Sequence, residues 1–191
     1  MLGDLLRFGR HAPDRLLHRF RRRAAWAEIA RRPPPDALLV VCHGNICRSP
    51  FAAAVLRSRL AGTGIRVESA GFFGPGRASP ATAVEAARQR RQDLRTHRAR
   101  LLTPELVRTM DLIAVMDLGQ RRAVCERFGR NPRDVFLLGD FDPLPIRTRA
   151  VRDPVERPLA VFDEVYERLE RCSMALADAI SAPLAAAAVS A

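Results

Sequence analysis

The segment Cys42–Ser49 carries the residue types needed for nucleophilic chemistry on a phosphate group. It contains a cysteine, five intervening residues, an arginine and a serine, and it lies between an apolar run and a helix start. A helix N-terminus exposes backbone N–H groups that bind anions, and a curled loop can aim further N–H groups at the same point. Arg48 offers a planar fork that suits two phosphate oxygens. We therefore expect Cys42 to lie in a positive concavity, as a thiolate at neutral pH.

The other residues of this segment suit a phosphate-binding loop. Gly44 permits a backbone conformation that is closed to other residues, and Asn45 tolerates left-handed angles and can tie the loop with its side chain. Ser49 is a natural N-cap for a helix beginning at Pro50, and its hydroxyl can hold the thiolate and improve it as a leaving group. The predicted reaction is attack of the Cys42 sulfur on phosphorus, with charge stabilised by the loop. The remaining members of the predicted loop are His43, Ile46 and Cys47.

Apolar runs of strand length alternate with helical patterns from residue 37 to about residue 180. The predicted strands are 37–41, 65–70, 111–116 and 135–138, and the longer predicted helices are 50–60, 80–92, 118–128 and 159–180. Such alternation is typical of parallel βαβ units with right-handed crossovers. We therefore predict an α/β fold, a small doubly wound four-stranded parallel sheet in the order 2-1-3-4 with helices on both faces. Ligands of such sheets bind beyond the carboxyl ends of the strands, where the loop after Cys42 lies.

Residues 1–36 differ in composition from the rest of the chain, with nine arginines against four acids. Apolar residues recur there at helical spacing, at Leu16, Leu17, Phe20, Ala24 and Ala27. Pro33–Pro35 must end this helix. We predict an Arg-rich helical extension with a proline linker, a catalytic domain over 37–182 and an Ala-rich tail over 183–191. The extension either packs on the domain or makes peripheral contact with an anionic membrane, and its apolar stripe is ordinary for a packed helix.

The composition excludes several classes of protein. The chain has 191 residues and a formal net charge of +11, and all 32 of its basic residues are arginine. This most simply reflects a coding bias, although so basic a chain attracts anionic partners. The sequence lacks an apolar run long enough to span a membrane, a signal peptide and a disulfide framework, so we expect a reducing cytoplasm. The four histidines and four cysteines are too dispersed for a metal site, and we expect no cofactor and no nucleic acid partner.

The motif Cys-x-Gly-Asn-x-Cys-Arg-Ser-Pro after a hydrophobic strand resembles the low molecular weight protein tyrosine phosphatases. The resemblance continues, in family order, through Val67–Gly71, Ser79–Thr82, Thr96–Arg100, Leu102–Pro104, Asp111–Asp117 and Leu137–Phe141. It covers roughly residues 37–180. It implies hydrolysis of phosphotyrosine in proteins through a cysteinyl-phosphate on Cys42. A tyrosine kinase is one candidate for the phosphotyrosine protein substrate.

The resemblance also implies a general acid, an aspartate in an Asp-Pro pair late in the chain. Asp142 and Asp153 both precede a proline. Asp153 lies shortly before the final helix, as the family acid does, whereas Asp142 matches the segment just after the fourth strand. An acid at this place protonates the tyrosyl oxygen and then activates water against the phospho-enzyme. We assign Asp153 this role.

Several positions depart from the family pattern. Val155 stands where members acting on phosphotyrosine usually have an aromatic residue. Phe72 and Phe73 lie where the family often has a tryptophan, so one of them could form the substrate wall with Val155. Ile46 replaces the threonine of members directed at phosphoarginine and thereby favours tyrosine. His43 could keep the thiolate ionised or simply line the mouth of the site.

The cysteines other than Cys42 bear on redox regulation and on the type of enzyme. In the family, a neighbour such as Cys47 can form a reversible disulfide with the nucleophile. Cys125 and Cys172 lie on helix stripes, which is typical of residues that pack in the core.

The related thioredoxin-coupled arsenate reductases are the alternative within this fold. They have two further redox cysteines after the third strand, whereas this chain has only Cys125 there. A weakly active phosphopeptide- or polyanion-binding module is the alternative of another class.

Overall fold

The computed structural model describes residues 12–189, with side chains through Leu184. The elements in chain order are α1 (Ala12–Ala30), β1 (Ala37–Cys42), α2 (Arg48–Arg59), β2 (Arg66–Gly71), α3 (Ala81–Gln89), α4 (Pro104–Arg108), β3 (Leu112–Val115), α5 (Leu118–Phe128), β4 (Val135–Leu137) and α6 (Leu159–Val189). Short 3-10 helices flank β4 at Pro132–Asp134 and Leu138–Phe141. The predicted extension and tail also include residues 1–11 and 190–191, which lie outside the described residues.

The four strands form one parallel sheet in the order β2-β1-β3-β4, as the sequence predicts. The central strand β1 pairs on both sides, so that Val40 lies between Ser69 of β2 and Ala114 of β3. All six residues of β1 are buried, because helices cover both faces of the sheet and leave no solvated side. The continuous apolar run that begins at Ala37 follows from this position.

The two faces of the sheet support separate apolar layers. On one face, Leu38 and Val40 pack in a cluster with residues of α1, α2, α3 and α6. On the other face, Leu39 and Val41 pack in a second cluster with residues of α4 and α5. Alternate side chains of one strand point to opposite faces, so β1 contributes to both layers. The predicted doubly wound architecture is confirmed.

The last helix is longer than the sequence indicates. The predicted end lies near Ile180, but α6 continues to Val189 and contains Pro183 within it. Proline removes one backbone donor from a helix. The alanines that follow have the highest helix propensity of any residue, and the helix continues through them.

Helix α1 packs against α6 and the 3-10 helix Leu138–Phe141. Its inward side chains Ile29 and His18 are buried. The packed arrangement, one of the two interpretations of the extension, is therefore observed for Ala12–Ala30. The opposite side of α1 carries apolar residues that face solvent, since Leu16 is 76% and Phe20 is 69% exposed. None of the described helices combines the length and apolarity needed to cross a bilayer.

Candidate active site

Cys42 is the last residue of β1, and its side chain lies under the loop that leads into α2. The hydroxyl of Ser49 donates a hydrogen bond to the Cys42 sulfur across 3.0 Å, and both residues are buried. This contact fixes the position of the sulfur at the start of α2. The first turn of α2 also directs its N–H groups to this end of the helix, where they attract negative charge.

The predicted capping role of Ser49 is wrong. The helix begins at Arg48, so its N-cap position is Cys47, which caps the helix with no side-chain hydrogen bond. Ser49 lies within the first turn, and its hydroxyl is committed to Cys42. A side-chain cap would occupy one of the N–H groups of that turn. The observed arrangement leaves them available to an anion.

Asn45 ties the loop together as the sequence predicts. Its backbone has a φ of 50°, in the left-handed region, and its side chain is fully buried. The side-chain nitrogen donates to the hydroxyls of Ser49 at 2.8 Å and Ser69 at 2.9 Å. The side-chain oxygen accepts a hydrogen bond from the backbone N–H of Arg100 at 2.8 Å. One amide therefore links the loop to α2, to β2 and to the segment after α3.

The glycine that the loop requires is not the one that the motif suggests. Gly44 does not adopt a left-handed φ, and a Cβ there would meet chiefly the end of the Arg77 side chain, at 2.6 Å. Gly71, at the end of β2, is far more restricted. A Cβ on Gly71 would lie 2.7 Å from the Asn45 nitrogen and 2.8 Å from the His43 oxygen, which are backbone atoms. The expectation for Gly44 is therefore wrong, and the restricted position is Gly71.

Two side chains hold carbonyl groups of the loop from outside. His97 Nε2 donates to the Asn45 oxygen at 2.7 Å, and the Tyr166 hydroxyl donates to the Cys47 oxygen at 3.0 Å. Burial lowers the pKa of His97 below 6.5, although the bond to Asn45 acts in the opposite direction. Burial likewise raises the pKa of Tyr166 well above 10, so both groups are neutral donors at physiological pH. Sequence reasoning assigned a role to neither, because these contacts join residues far apart in the chain.

The guanidinium of Arg48 lies next to the loop and is almost completely buried. Nη1 donates to the Val151 carbonyl at 3.1 Å, and Nη2 forms a short ion pair with Asp153. Asp153 itself is partly exposed. The structure thus brings together the predicted nucleophile, the predicted anion-binding arginine and the favoured candidate acid.

The other candidate acid, Asp142, lies in a different environment. The residue is 1% exposed. Its carboxylate forms ion pairs with Arg168 at 3.0 Å and with Arg171 at 3.3 Å, both on α6. Its Oδ1 also accepts a hydrogen bond from the Leu144 N–H. A carboxylate held by two guanidinium groups is a structural anchor. It does not line the cavity above Cys42.

A cavity of about 180 Å³ opens above Cys42. The side chains around its mouth are His43, Ile46, Arg48, Phe73, Arg77, Asp153 and Val155. Phe73 is 44% exposed, and its ring meets the His43 imidazole edge to face at 4.0 Å. Phe73 and Val155 therefore form an apolar rim. Phe72 lies outside this cavity and lines a neighbouring one of about 660 Å³, beside Arg127 and α5.

Arg77 is a residue of the rim that sequence reasoning missed. Its guanidinium lies 5.8 Å from the centre of the Phe73 ring and donates to the Gly44 oxygen at 3.4 Å. A second cation beside Arg48 adds to the positive field of the cavity. The excess of arginine in the chain concealed it, since nothing in the local sequence distinguishes Arg77 from the others.

The cysteines differ in environment. Cys42 and Cys47 are both free thiols in this structure. Burial, together with the negative charges of Cys42 and Asp153, raises the pKa of Cys47 to about 12. Cys172 is buried in the core on α6, whereas Cys125 is partly exposed on α5 and packs against the second apolar cluster. No three His, Cys, Asp or Glu side chains among residues 12–184 are grouped as metal ligands.

Residues 37–186 match the family model of the low molecular weight phosphotyrosine protein phosphatases. The chain belongs to this family. It is 38% identical to the probable low molecular weight protein-tyrosine-phosphatase EpsP of Ralstonia nicotianae over 134 residues, covering 70% of this chain and 88% of the relative. It is 34% identical to the phosphatase Etp of Escherichia coli K12 over 147 residues, covering 76% and 95%.

Solved structures give the same result for the fold. The Erwinia amylovora tyrosine phosphatase AmsI superimposes with a TM-score of 0.69 and 29% identity, over 76% of this chain and 93% of that chain. The arginine phosphatase YwlE of Geobacillus stearothermophilus gives a TM-score of 0.69 and 27% identity, over 82% and 97%. Helix α1 precedes the segment that the family model matches.

Proposed function

We propose that this chain is a cysteine-dependent protein tyrosine phosphatase that hydrolyses phosphotyrosine through a cysteinyl-phosphate on Cys42. The observation that carries the proposal is that Cys42, Arg48 and Asp153 line one cavity. The Cys42 sulfur there accepts a hydrogen bond from Ser49, and Arg48 forms an ion pair with Asp153. Nucleophile, anion site and acid are the three parts that a phosphoryl transfer through a covalent intermediate needs. Family membership supports the same activity.

In the first step the Cys42 thiolate attacks phosphorus. A sulfur–phosphorus bond forms and the bond from phosphorus to the tyrosyl oxygen breaks. Arg48 and the backbone N–H groups of the loop stabilise the non-bridging oxygens, where negative charge accumulates. Asp153, in its acid form, donates its proton to the departing tyrosyl oxygen and becomes a carboxylate.

In the second step water hydrolyses the phospho-enzyme. The Asp153 carboxylate accepts a proton from the attacking water as the oxygen–phosphorus bond forms. The sulfur–phosphorus bond breaks, and the electron pair returns to the Cys42 sulfur. The hydrogen bond from Ser49 stabilises that thiolate, so the same contact serves both steps. Inorganic phosphate is the product.

The depth of the site favours a long aromatic substrate. Cys42 lines the cavity and is 2% exposed, so we expect the longer phosphotyrosine side chain to bring its phosphorus to the sulfur more readily than phosphoserine does. Ile46, Phe73 and Val155 provide apolar surface around the mouth, which suits a phenyl ring. We therefore expect phosphotyrosine peptides to be hydrolysed in preference to phosphoserine and phosphoarginine peptides, and a panel of the three measures this directly.

The test of the enzyme itself is hydrolysis of p-nitrophenyl phosphate by the wild type and by Cys42→Ser. The variant keeps the fold and the anion site but lacks the thiolate, so we expect activity to fall to background. Equal rates would reject the enzyme and favour the binding module. Arsenate turnover with thioredoxin would favour the reductase, although Cys125 is the only cysteine of α5 and is just partly exposed.

A thiolate nucleophile also constrains the compartment and the substrate. Oxidation inactivates a cysteine nucleophile, so we expect the enzyme to work in a reducing compartment such as the cytoplasm. The natural substrate in this proposal is a phosphotyrosine protein, and a tyrosine kinase is the candidate to test first. The expected result is loss of phosphotyrosine from the kinase on incubation with the wild type but not with Cys42→Ser.

The outward side of α1 supports peripheral contact with an anionic bilayer. Leu16, Leu17 and Phe20 are exposed along one stripe, and Arg19 and Arg23 lie exposed beside it. Apolar residues flanked by arginine match the boundary between acyl chains and anionic headgroups. Full-length protein should sediment with vesicles rich in phosphatidylglycerol, less so at high salt, and Phe20→Ser should weaken binding. If the fraction of protein bound to vesicles changes neither with lipid charge nor in Phe20→Ser, the proposed membrane contact is wrong.

A further inference from the structure

Helix α1 lies outside the segment matched by the family model, yet it contacts the loop that leads to Asp153. We propose that Asp14 and His18 of α1 are positioning residues for the catalytic reaction, because they fix the loop that presents Asp153 to the leaving group. The inference rests on the proposed role of Asp153 as general acid. It gives α1, which lies outside the segment matched by the family model, a role in positioning the general acid.

The Asp14 carboxylate binds the middle of the loop. Oδ2 accepts hydrogen bonds from the backbone N–H of Arg149 at 3.1 Å and from the Thr148 hydroxyl at 3.3 Å. Oδ1 is held by Arg21 of the same helix at 2.8 Å. Partial burial acts to raise the pKa of Asp14, but the bonds from Arg149 and Arg21 outweigh it and the pKa lies below its ordinary value. The carboxylate is therefore charged at neutral pH and is itself oriented from α1.

His18 binds the start of the loop. Its ring is buried, and Nε2 donates to the Asp142 carbonyl oxygen at 2.9 Å. The Asp142 side chain is fixed by Arg168 and Arg171 of α6. Residue 142 is therefore held on its carbonyl by α1 and on its carboxylate by α6, so the first residue of the loop has little freedom.

The restraint passes from this region to Asp153 in a few residues. Arg168 also donates to the carbonyl oxygens of Ala150 at 2.9 Å and Thr148 at 2.7 Å. The next residue, Val151, donates to the Met116 oxygen at 2.9 Å and accepts from Arg48 at 3.1 Å. Asp153 follows two residues later. A general acid must reach the leaving oxygen within hydrogen-bond distance, and a small displacement of such a group costs much of its effect.

The experiment compares leaving groups in full-length variants. For each variant kcat/KM is measured with phenyl phosphate, whose poor leaving group needs the acid, and with p-nitrophenyl phosphate, which needs it much less. This constant reports the steps through departure of the leaving group. For Asp14→Ala we expect the phenyl phosphate value to fall at least about fivefold relative to the p-nitrophenyl value. Asp14→Asn keeps an acceptor for Arg149 and should restore much of the ratio.

Controls separate positioning from stability and from the proposed function. Glu28→Ala removes an ion pair of α1 with Arg32, away from the loop, and should leave the ratio unchanged. If Asp14→Ala does not fold, Thr148→Val tests the same contact from the loop side. A ratio unaffected by Asp14→Ala or Thr148→Val, while Asp153→Ala alters it, would overturn the positioning role alone. If Asp153→Ala also leaves the ratio unchanged, the acid assignment has failed.

Discussion

The two cysteines of the segment Cys42–Ser49 should react very differently. With its pKa raised to about 12, Cys47 is a neutral thiol at pH 7, whereas the Cys42 sulfur accepts a hydrogen bond at a helix N-terminus. We predict that iodoacetate at pH 7 alkylates Cys42 at least about tenfold faster than Cys47, because the thiolate is the nucleophile. Peptide mass mapping over time measures both rates.

Inorganic phosphate or vanadate should protect Cys42 from this reagent, because both anions compete for Arg48 and the loop N–H groups. Cys42→Ser is the matched control and should remain largely unlabelled at the loop. Faster labelling of Cys47, or labelling of Cys42 that phosphate does not slow, would mean that the sulfur in the anion site is protonated.

Alanine should be more damaging at Gly71 than at Gly44. A Cβ at Gly71 would press on the backbone of Asn45 and His43, which cannot move without displacing the loop, whereas a Cβ at Gly44 meets the flexible end of Arg77. Overpacking of this kind costs about 1–3 kcal/mol. We predict that Gly71→Ala loses more than tenfold in kcat/KM and lowers Tm, and that Gly44→Ala loses less. Greater damage from Gly44→Ala would contradict the geometry.

Residue by residue, the sequence predicts the groups whose function depends on their own chain neighbours. Cys42, Arg48 and Asn45 lie within one short segment, so their spacing alone indicates an anion loop. Gly71 and Tyr166 act on that loop from elements distant in sequence, and a glycine at a strand end or a tyrosine on an apolar stripe has an ordinary structural explanation. Only the packed structure distinguishes them.

At the scale of elements, the loop between β4 and α6 contains two Asp-Pro pairs with separate tasks. Asp142 anchors the loop to α6, whereas Asp153 contacts Arg48 at the cavity. We predict that Asp153→Ala lowers kcat/KM for phenyl phosphate by about 10²-fold or more with little change in Tm. Asp142→Ala should lower stability by about 3 kcal/mol, as expected on loss of one partner of a buried ion pair.

Thermal denaturation and the leaving-group comparison together check this division. Asp142→Asn is the matched variant, because it keeps the shape of the side chain and one acceptor oxygen while it removes the charge and the second acceptor. A larger leaving-group effect for the Asp142 variants than for Asp153→Ala would reverse the assignment of acid and anchor.

Element boundaries follow from the sequence where propensity and burial agree. The predicted strands lie within one residue of the observed ones at each end, because their apolar runs are buried. The predicted end of α5 matches the observed end, because Gly129 caps the helix in the left-handed conformation. The start of α2 and the end of α6 do not agree. Ser49 satisfies the rules for a cap but is recruited by Cys42, and Pro183 satisfies the rules for a stop but is followed by helix-forming alanines. A functional contact and a favourable propensity respectively override the local signal.

For the whole molecule, His97 should make stability depend on pH. Its pKa is below 6.5 in the folded state because burial disfavours the charged ring, so the unfolded chain binds a proton that the folded chain does not. Stability from this group is full above pH 6.5 and declines as pH falls below that value. We predict that the fall in Tm between pH 7.5 and 5.5 is smaller in His97→Gln than in the wild type.

Calorimetry across this range measures the difference, and the exposed His43, replaced by glutamine, provides a matched control that should behave like the wild type. Parallel Tm curves for the wild type and His97→Gln would show that protonation of His97 is not linked to folding.

The overall architecture follows from alternation of strands and helices, which dictates a parallel sheet covered on both faces. The position of α1 does not. Its amphipathic stripe is compatible with any apolar partner, and the bonds of Asp14 and His18 to residues more than 120 positions away decide where it lies. Periodicity reports which face is apolar, but the stripe that it found includes Leu16 and Phe20, which point to water.

The ion pair of Arg48 with Asp153 makes the carboxylate a tethered rival of inorganic phosphate. When the product departs, an anion already attached to the protein is at hand to neutralise the guanidinium, so rebinding of phosphate must compete against a high local concentration of carboxylate. Inhibition by the released phosphate would then need a higher phosphate concentration than in a site without this carboxylate.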